Sequence, residues 1–118
     1  MTDIPRKILS VVFYANANGR EPVREWLRAL DREERRILGE DLKMMQEGWP
    51  LGMPLVRSLG RGLWEVRSTL PNTIARVIFT MHDGSMVLLH AFIKKTQETP
   101  AHDLALAQTR AKEVRSHR

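Results

Sequence analysis

The chain has 118 residues, 42% of them hydrophobic, enough to bury one core in a single domain spanning residues 1–118. Its 19 Lys+Arg against 14 Asp+Glu leave a net charge of +5, which suits a nucleic-acid or ribosomal partner and equally an acidic protein. Without cysteine it can form neither a disulfide framework nor a cysteine-ligated zinc site, and its longest apolar run, Met86 to Ile93 interrupted by His90, is too short to cross a bilayer.

The opening MTDIPRKILSVVFYANANGR has only a brief apolar run and no small-residue cleavage pattern, so a cytoplasmic protein is expected. Residues 6–14 read as a first strand, apolar on both faces, that joins the main sheet. Asn16 to Gly19 form a turn, and Pro22 opens a helix whose Val23, Trp26, Leu27 and Leu30 recur at spacings of three and four. Asp31 caps a second helix, with Glu34 in the capping-box position. Ile37, Leu38, Leu42 and Met45 form its apolar stripe, and Gly48 followed by Trp49-Pro50 ends it. Its charged face, with Arg32, Glu33, Arg35, Arg36, Glu40 and Lys43, reads as solvated surface with ion pairs at helical spacing.

Residues 49–62 read as a Gly/Pro-punctuated loop anchored by Leu51, Leu55, Val56 and Leu59. Arg57 and Arg61 stand at the mouth of the sheet, placed either as ordinary surface arginines or as contacts to a phosphate backbone. Gly60-Arg61-Gly62 is too short, and lacks the following helix, for a phosphate-cradling loop.

Leu63 to Leu70, Thr73 to Met81 and Met86 to Ile93 are three strands joined by turns at Pro71-Asn72 and Asp83-Gly84. Counting outward from the first turn pairs Thr69 with Ile74, Ser68 with Ala75 and Arg67 with Arg76. Counting from the second pairs His82 with Ser85, Phe79 with Leu88, Val77 with His90 and Arg76 with Ala91. Steps of two along that face of the third strand reach Ile93 and Lys95, so Arg67, Arg76 and Lys95 are expected on one face. Directly opposed arginines repel. Either they reach water or pair with Glu65, or they form a site for a polyanion, with a nucleic-acid phosphate as the obvious candidate.

Thr99-Pro100 caps a last helix with Ala101, Leu104, Ala105, Ala111 and Val114 on its apolar face. The expected fold is α+β, ordered β-α-α-β-β-β-α, with a single antiparallel sheet, an N-terminal helix hairpin and a C-terminal helix. His82, His90 and His102 lack the spacing of metal ligands on one element, and no carboxylate cluster joins them, which argues against a metallonuclease. His90 reads as a core histidine on the face opposite Arg76. Ser68 and Ser85 have no arranged base for a hydrolase triad.

LWEVR, ARVIF and above all Phe92 to Pro100, FIKKTQETP, followed by an Ala-rich basic helix, resemble the HigB toxins in the phage-associated branch of the RelE/ParE superfamily. The resemblance runs from the Pro22-Val23-x-x-Trp26-Leu27 helix start to the final helix. It implies a RelE-like fold and a toxin of a type II toxin–antitoxin pair that cleaves mRNA on the ribosome, without metal or cofactor. A helix-turn-helix antitoxin would neutralise it and carry it to operator DNA. The implied chemistry is attack of a ribose 2′-OH on the adjacent phosphate, which needs a base, cations for the phosphorane-like state and an acid for the leaving 5′-oxygen.

Carried onto this chain, the resemblance implies that Arg67 and Arg76 bind phosphate and stabilise the transition state. Lys95 shares that role or transfers a proton, its charged form being disfavoured by neighbouring arginines. Lys94, on the opposite face in this register, would guide RNA or the antitoxin, and Arg57 and Arg61 at the mouth of the sheet are the further candidates for RNA contact. Several relatives carry a tyrosine or histidine near the C-terminus for acid–base work; the only tyrosine here is Tyr14 in the first strand, so His102 is the available substitute. The same superfamily holds gyrase inhibitors, which have no need of a basic array, and a non-catalytic co-repressor acting with its antitoxin on operator DNA is a further alternative.

Overall fold

Two tight turns set the centre of the molecule. Asp83 and Gly84 both take positive φ, 49° and 76°, as the reversal of a two-residue hairpin requires. At Pro71-Asn72 the Leu70 amide donates to the Thr73 carbonyl at 2.8 Å. The computed structural model describes residues 9–49, 56–93 and 99–116. Its elements are β1 (Ser10–Phe13), α1 (Pro22–Ala29), α2 (Arg32–Gly48), β2 (Val56–Gly60), β3 (Leu63–Thr69), β4 (Ile74–His82), β5 (Ser85–Ile93) and α3 (Ala101–Ser116). Three helices and one five-stranded sheet make a mixed α+β fold, as expected.

The order of elements and the character of the sheet differ from the expectation in two ways. Strands lie in the order β1-β5-β4-β3-β2, and β1 runs parallel to β5, so the sheet is mixed rather than wholly antiparallel. No tight turn links β1 to β5, and a strand joined through intervening elements is free to run in either direction. The second difference is β2, which occupies part of the stretch expected to be loop and makes the described order β-α-α-β-β-β-β-α. Gly60, Arg61 and Gly62 take φ of 84°, 55° and 77° and fold Val56–Gly60 back onto β3. The glycines that looked like loop punctuation are the reversal of a hairpin.

The Arg67↔Arg76 register holds as counted, with Ser68↔Ala75 and Thr69↔Ile74 beside it. In the next hairpin His82↔Ser85 and Phe79↔Leu88 also hold, but the ladder shifts between Ile78 and Phe79. Beyond the shift Ile78 faces His90, Val77 faces Ala91 and Arg76 faces Phe92. Leu89 is the extra residue of a β-bulge, which moves every later side chain of β5 by one place. The expected Arg76↔Ala91 and Val77↔His90 pairs are therefore replaced, and the parity that selected Lys95 over Lys94 no longer applies.

Helices cover both faces. α2 begins with the expected capping box, in which Asp31 Oδ1 accepts from the Glu34 amide at 2.8 Å and Glu34 Oε1 accepts from the Asp31 amide at 3.2 Å. Val23, Leu38, Leu42 and Met45 from α1 and α2 pack with Val66, Val77, Phe79, Met86 and Leu88 of the sheet. Trp49 stands edge-on to Trp64 and Phe79, with centroids 5.1 and 5.5 Å away. On the other face Ala107 and Ala111 of α3 lie against Leu63, Ile78, Val87 and Leu89. Alanine at both buried positions lets the helix approach the sheet closely. Ala101 and Ala105, expected on the apolar stripe, are exposed. Among the described residues no helix is long and apolar enough to cross a membrane.

Candidate functional site

Side chains alternate along a strand and directly opposed residues share a face, so the registers collect one group of residues on the α3 side of the sheet. Arg57 of β2 faces Glu65 of β3, Arg67 of β3 faces Arg76 of β4, and Arg76 faces Phe92 of β5. Thr99, just before α3, closes over Glu65.

Glu65 and Arg76 are both fully buried, with Arg76 Nη1 3.5 Å from Glu65 Oε1. Arg57 Nη2 lies 3.4 Å from the same oxygen and 3.1 Å from Thr99 Oγ1. The Thr99 hydroxyl donates to Glu65 Oε2 at 2.7 Å. The arginine contacts are ion pairs at the long end of hydrogen bonding, held by Coulomb attraction in a water-poor site. One carboxylate thus serves two guanidinium groups.

Arg67 is the third arginine, and among the described residues no counter-charge pairs with it. It is partly buried, and its buried Nε has no hydrogen-bond partner among the described residues. A buried donor left unmatched costs about 1–3 kcal/mol, so it marks a place where a polar ligand would be stabilising. The side chain of Arg57 is 43% exposed and also reaches solvent. The site therefore offers surplus positive charge at one end of β3 and β4, suited to a phosphodiester.

The other expected residues are distributed differently. Lys94 and Lys95 lie outside the described residues. His102 is exposed in the first turn of α3, and no contact among the described residues joins it to the arginines. Arg61 is exposed in the β2–β3 turn, four residues before Glu65 in the chain, where its carbonyl accepts from Arg115 at 3.1 Å. The structure brings together Arg57, Arg67 and Arg76, and the anchor that joins two of them is Glu65.

One residue was expected elsewhere. The bulge turns His90 onto the α3 side, opposite Ile78, rather than onto the face of Val77. Its Nε2 lies 2.6 Å from Asp103 Oδ1 in the first turn of α3, and its ring stacks on Phe92 with centroids 5.4 Å apart. In sequence, the only sign of this pairing is an acidic residue in the first turn of the helix that follows β5. Among the described residues no group of His, Asp and Glu side chains converges as a metal site.

A five-stranded mixed sheet with helices on both faces and an arginine cluster beneath its last helix defines a small basic α+β protein. Residues 25–112, from α1 into α3, match the family described as phage-derived protein Gp49-like (DUF891), and the chain belongs to it. This is a RelE/toxin-like family associated with toxin-like proteins. No curated protein matches the chain.

Proposed function

We propose that the protein is the toxin of a type II toxin–antitoxin pair, of the HigB-like kind, acting in the cytoplasm as a ribosome-dependent mRNA endoribonuclease. The observation that carries this reading is Arg67. Arg57 and Arg76 are compensated through Glu65, while among the described residues no carboxylate pairs with Arg67 and its Nε has no acceptor.

Cleavage requires a ribose 2′-OH to attack the adjacent phosphorus while negative charge grows on the phosphoryl oxygens. Preorganised cations aimed at those oxygens lower the barrier without reorganising. Arg67 takes the phosphate directly and the exposed part of Arg57 assists it. Arg76 is buried and acts from beneath, fixing Glu65 and, by its own charge, keeping Arg67 turned toward the ligand. Lys94 and Lys95 follow directly on β5 and supply further cations. A helix-turn-helix antitoxin neutralises the protein and takes it to operator DNA, its partners otherwise being ribosome and message.

The test is primer extension on a translated reporter message in a reconstituted translation system. Cuts that need ribosomes and weaken strongly in Arg67→Ala support the reading. An intact message together with blocked supercoiling in a gyrase assay would replace it with topoisomerase inhibition.

A further inference from the structure

We infer that His90 is the general base of this site and that Asp103 positions it; the inference rests on the nuclease reading and names the group that takes the 2′-OH proton. Asp103 is a carboxylate acceptor, so the neutral imidazole donates its Nε2 proton to Oδ1 across 2.6 Å. Nδ1 then carries the lone pair, the form that accepts a proton. A carboxylate behind the ring also stabilises the imidazolium once it forms.

Placement supports the same role. Ile78 faces His90 and Arg76 faces Phe92, so His90 is one diagonal step from Arg76 on the same face. Such diagonal neighbours lie about 7–8 Å apart. Two strand spacings of about 4.8 Å and one two-residue step of about 6.6 Å put the backbones of His90 and Arg67 roughly 12 Å apart. A nucleotide laid over Arg76 and Phe92, which stand between them on this face, would span from one to the other. Stacking on Phe92 and the Asp103 contact hold the ring, and its side chain keeps 15% of its surface open, against 17% for Asp103.

The step balances as follows. His90 Nδ1 takes the proton of the 2′-OH as its oxygen bonds to phosphorus. The bond from phosphorus to O5′ breaks, and O5′ leaves with the electron pair and takes a proton from water. The products are a 2′,3′-cyclic phosphate and a 5′-hydroxyl, and His90 returns its proton to solvent. The charged and titratable groups facing this part of β5 are Asp103 and Arg110 on α3 and Arg76 on β4, with Tyr14 beyond Arg110.

The experiment is single-turnover primer extension with the full chain on programmed ribosomes across a pH series, with thermal melts alongside. His90→Ala should slow cleavage by about 10²–10⁴-fold, with added imidazole restoring part of it. Wild-type cleavage should fall on the acid side, as a general base requires, and Asp103→Asn, whose amide can donate and so favour the wrong tautomer, should slow cleavage across the whole series. Wild-type rates in His90→Ala would leave the nuclease reading standing and remove His90 from it. Loss of cleavage in a folded His90→Ala that imidazole does not restore, with a flat wild-type pH profile, would make His90 a docking contact for α3 and overturn the inference. Should His90→Ala not fold, the wild-type acid limb and the slowed cleavage of a folded Asp103→Asn decide. Absence of any wild-type cut would overturn the nuclease reading, and the base role with it.

Discussion

Glu65 and Arg76 form a wholly buried ion pair at 3.5 Å, one strand apart and one diagonal step along the sheet. Two charges out of water are stabilising only while both are present, and removing one leaves the other uncompensated at a cost of about 3–5 kcal/mol. Glu65 also holds Arg57 and Thr99. Glu65→Leu and Arg76→Leu should each destabilise, and the double variant should recover part of the loss. Urea unfolding of the three proteins checks this; equal, small effects would show that the pair is dispensable.

Arg67 should behave in the opposite way. Its charge faces Arg76 directly and its Nε has no acceptor among the described residues, so truncation relieves repulsion as well as removing a contact. Arg67→Ala should change stability by less than about 1 kcal/mol while lowering mRNA cleavage by about 10²–10³-fold. Melts and primer extension on the same preparation separate the two effects. A large stability loss without loss of cleavage would reassign Arg67 to the fold.

Tyr14 supplies a pH dependence of known sign. Its hydroxyl donates to Glu113 Oε1 at 2.9 Å, and the Arg110 guanidinium lies 5.2 Å from its ring. Burial first, then the hydrogen bond and charge of Glu113, raise its pKa above the ordinary 10.0, against a smaller opposing pull from Arg110. A group whose folded pKa is raised contributes stability that is fully present below its unfolded pKa and is lost as pH rises through the folded one. Stability should therefore fall from about pH 10 upward in wild type. Tyr14→Phe should lose about 0.5–1.5 kcal/mol at neutral pH and show a shallower alkaline decline. Urea midpoints measured from neutral to alkaline pH give the comparison.

Legibility of the fold follows how local its causes are. Asp83-Gly84 is readable because positive φ at both turn residues restricts composition, and the register beside it follows. The Arg67↔Arg76 opposition is readable for the same reason, and Glu65 stands among the partners its neighbours suggest. The bulge at Leu89 is not readable: an ordinary buried leucine takes the extra place, with no glycine or proline to mark it. That single insertion puts His90 on the face of Arg76 rather than on the opposite one. β2 is hidden by its surroundings, because the glycines that turn it onto β3 resemble loop composition. The direction of β1 depends on tertiary placement alone.

The alanine stripe of α3 gives a final prediction that joins packing to the site. Ala107 is 0% exposed and Ala111 1%, both against the sheet, whereas Ala105 is exposed on the same helix. Leucine at 107 has no room unless α3 lifts, and overpacking of this kind costs about 1–3 kcal/mol. Leucine at 105 adds volume on the solvent side and should change stability by less than about 0.5 kcal/mol. The same lift would draw Asp103 from His90 Nε2 and move Thr99, which precedes the helix, relative to Glu65. Ala107→Leu should thus reduce cleavage beyond what its stability loss explains, in conditions where the variant remains folded. Ala105→Leu should cleave as wild type. Equal cleavage by both variants would mean that α3 covers the sheet without setting the geometry of the residues beneath it.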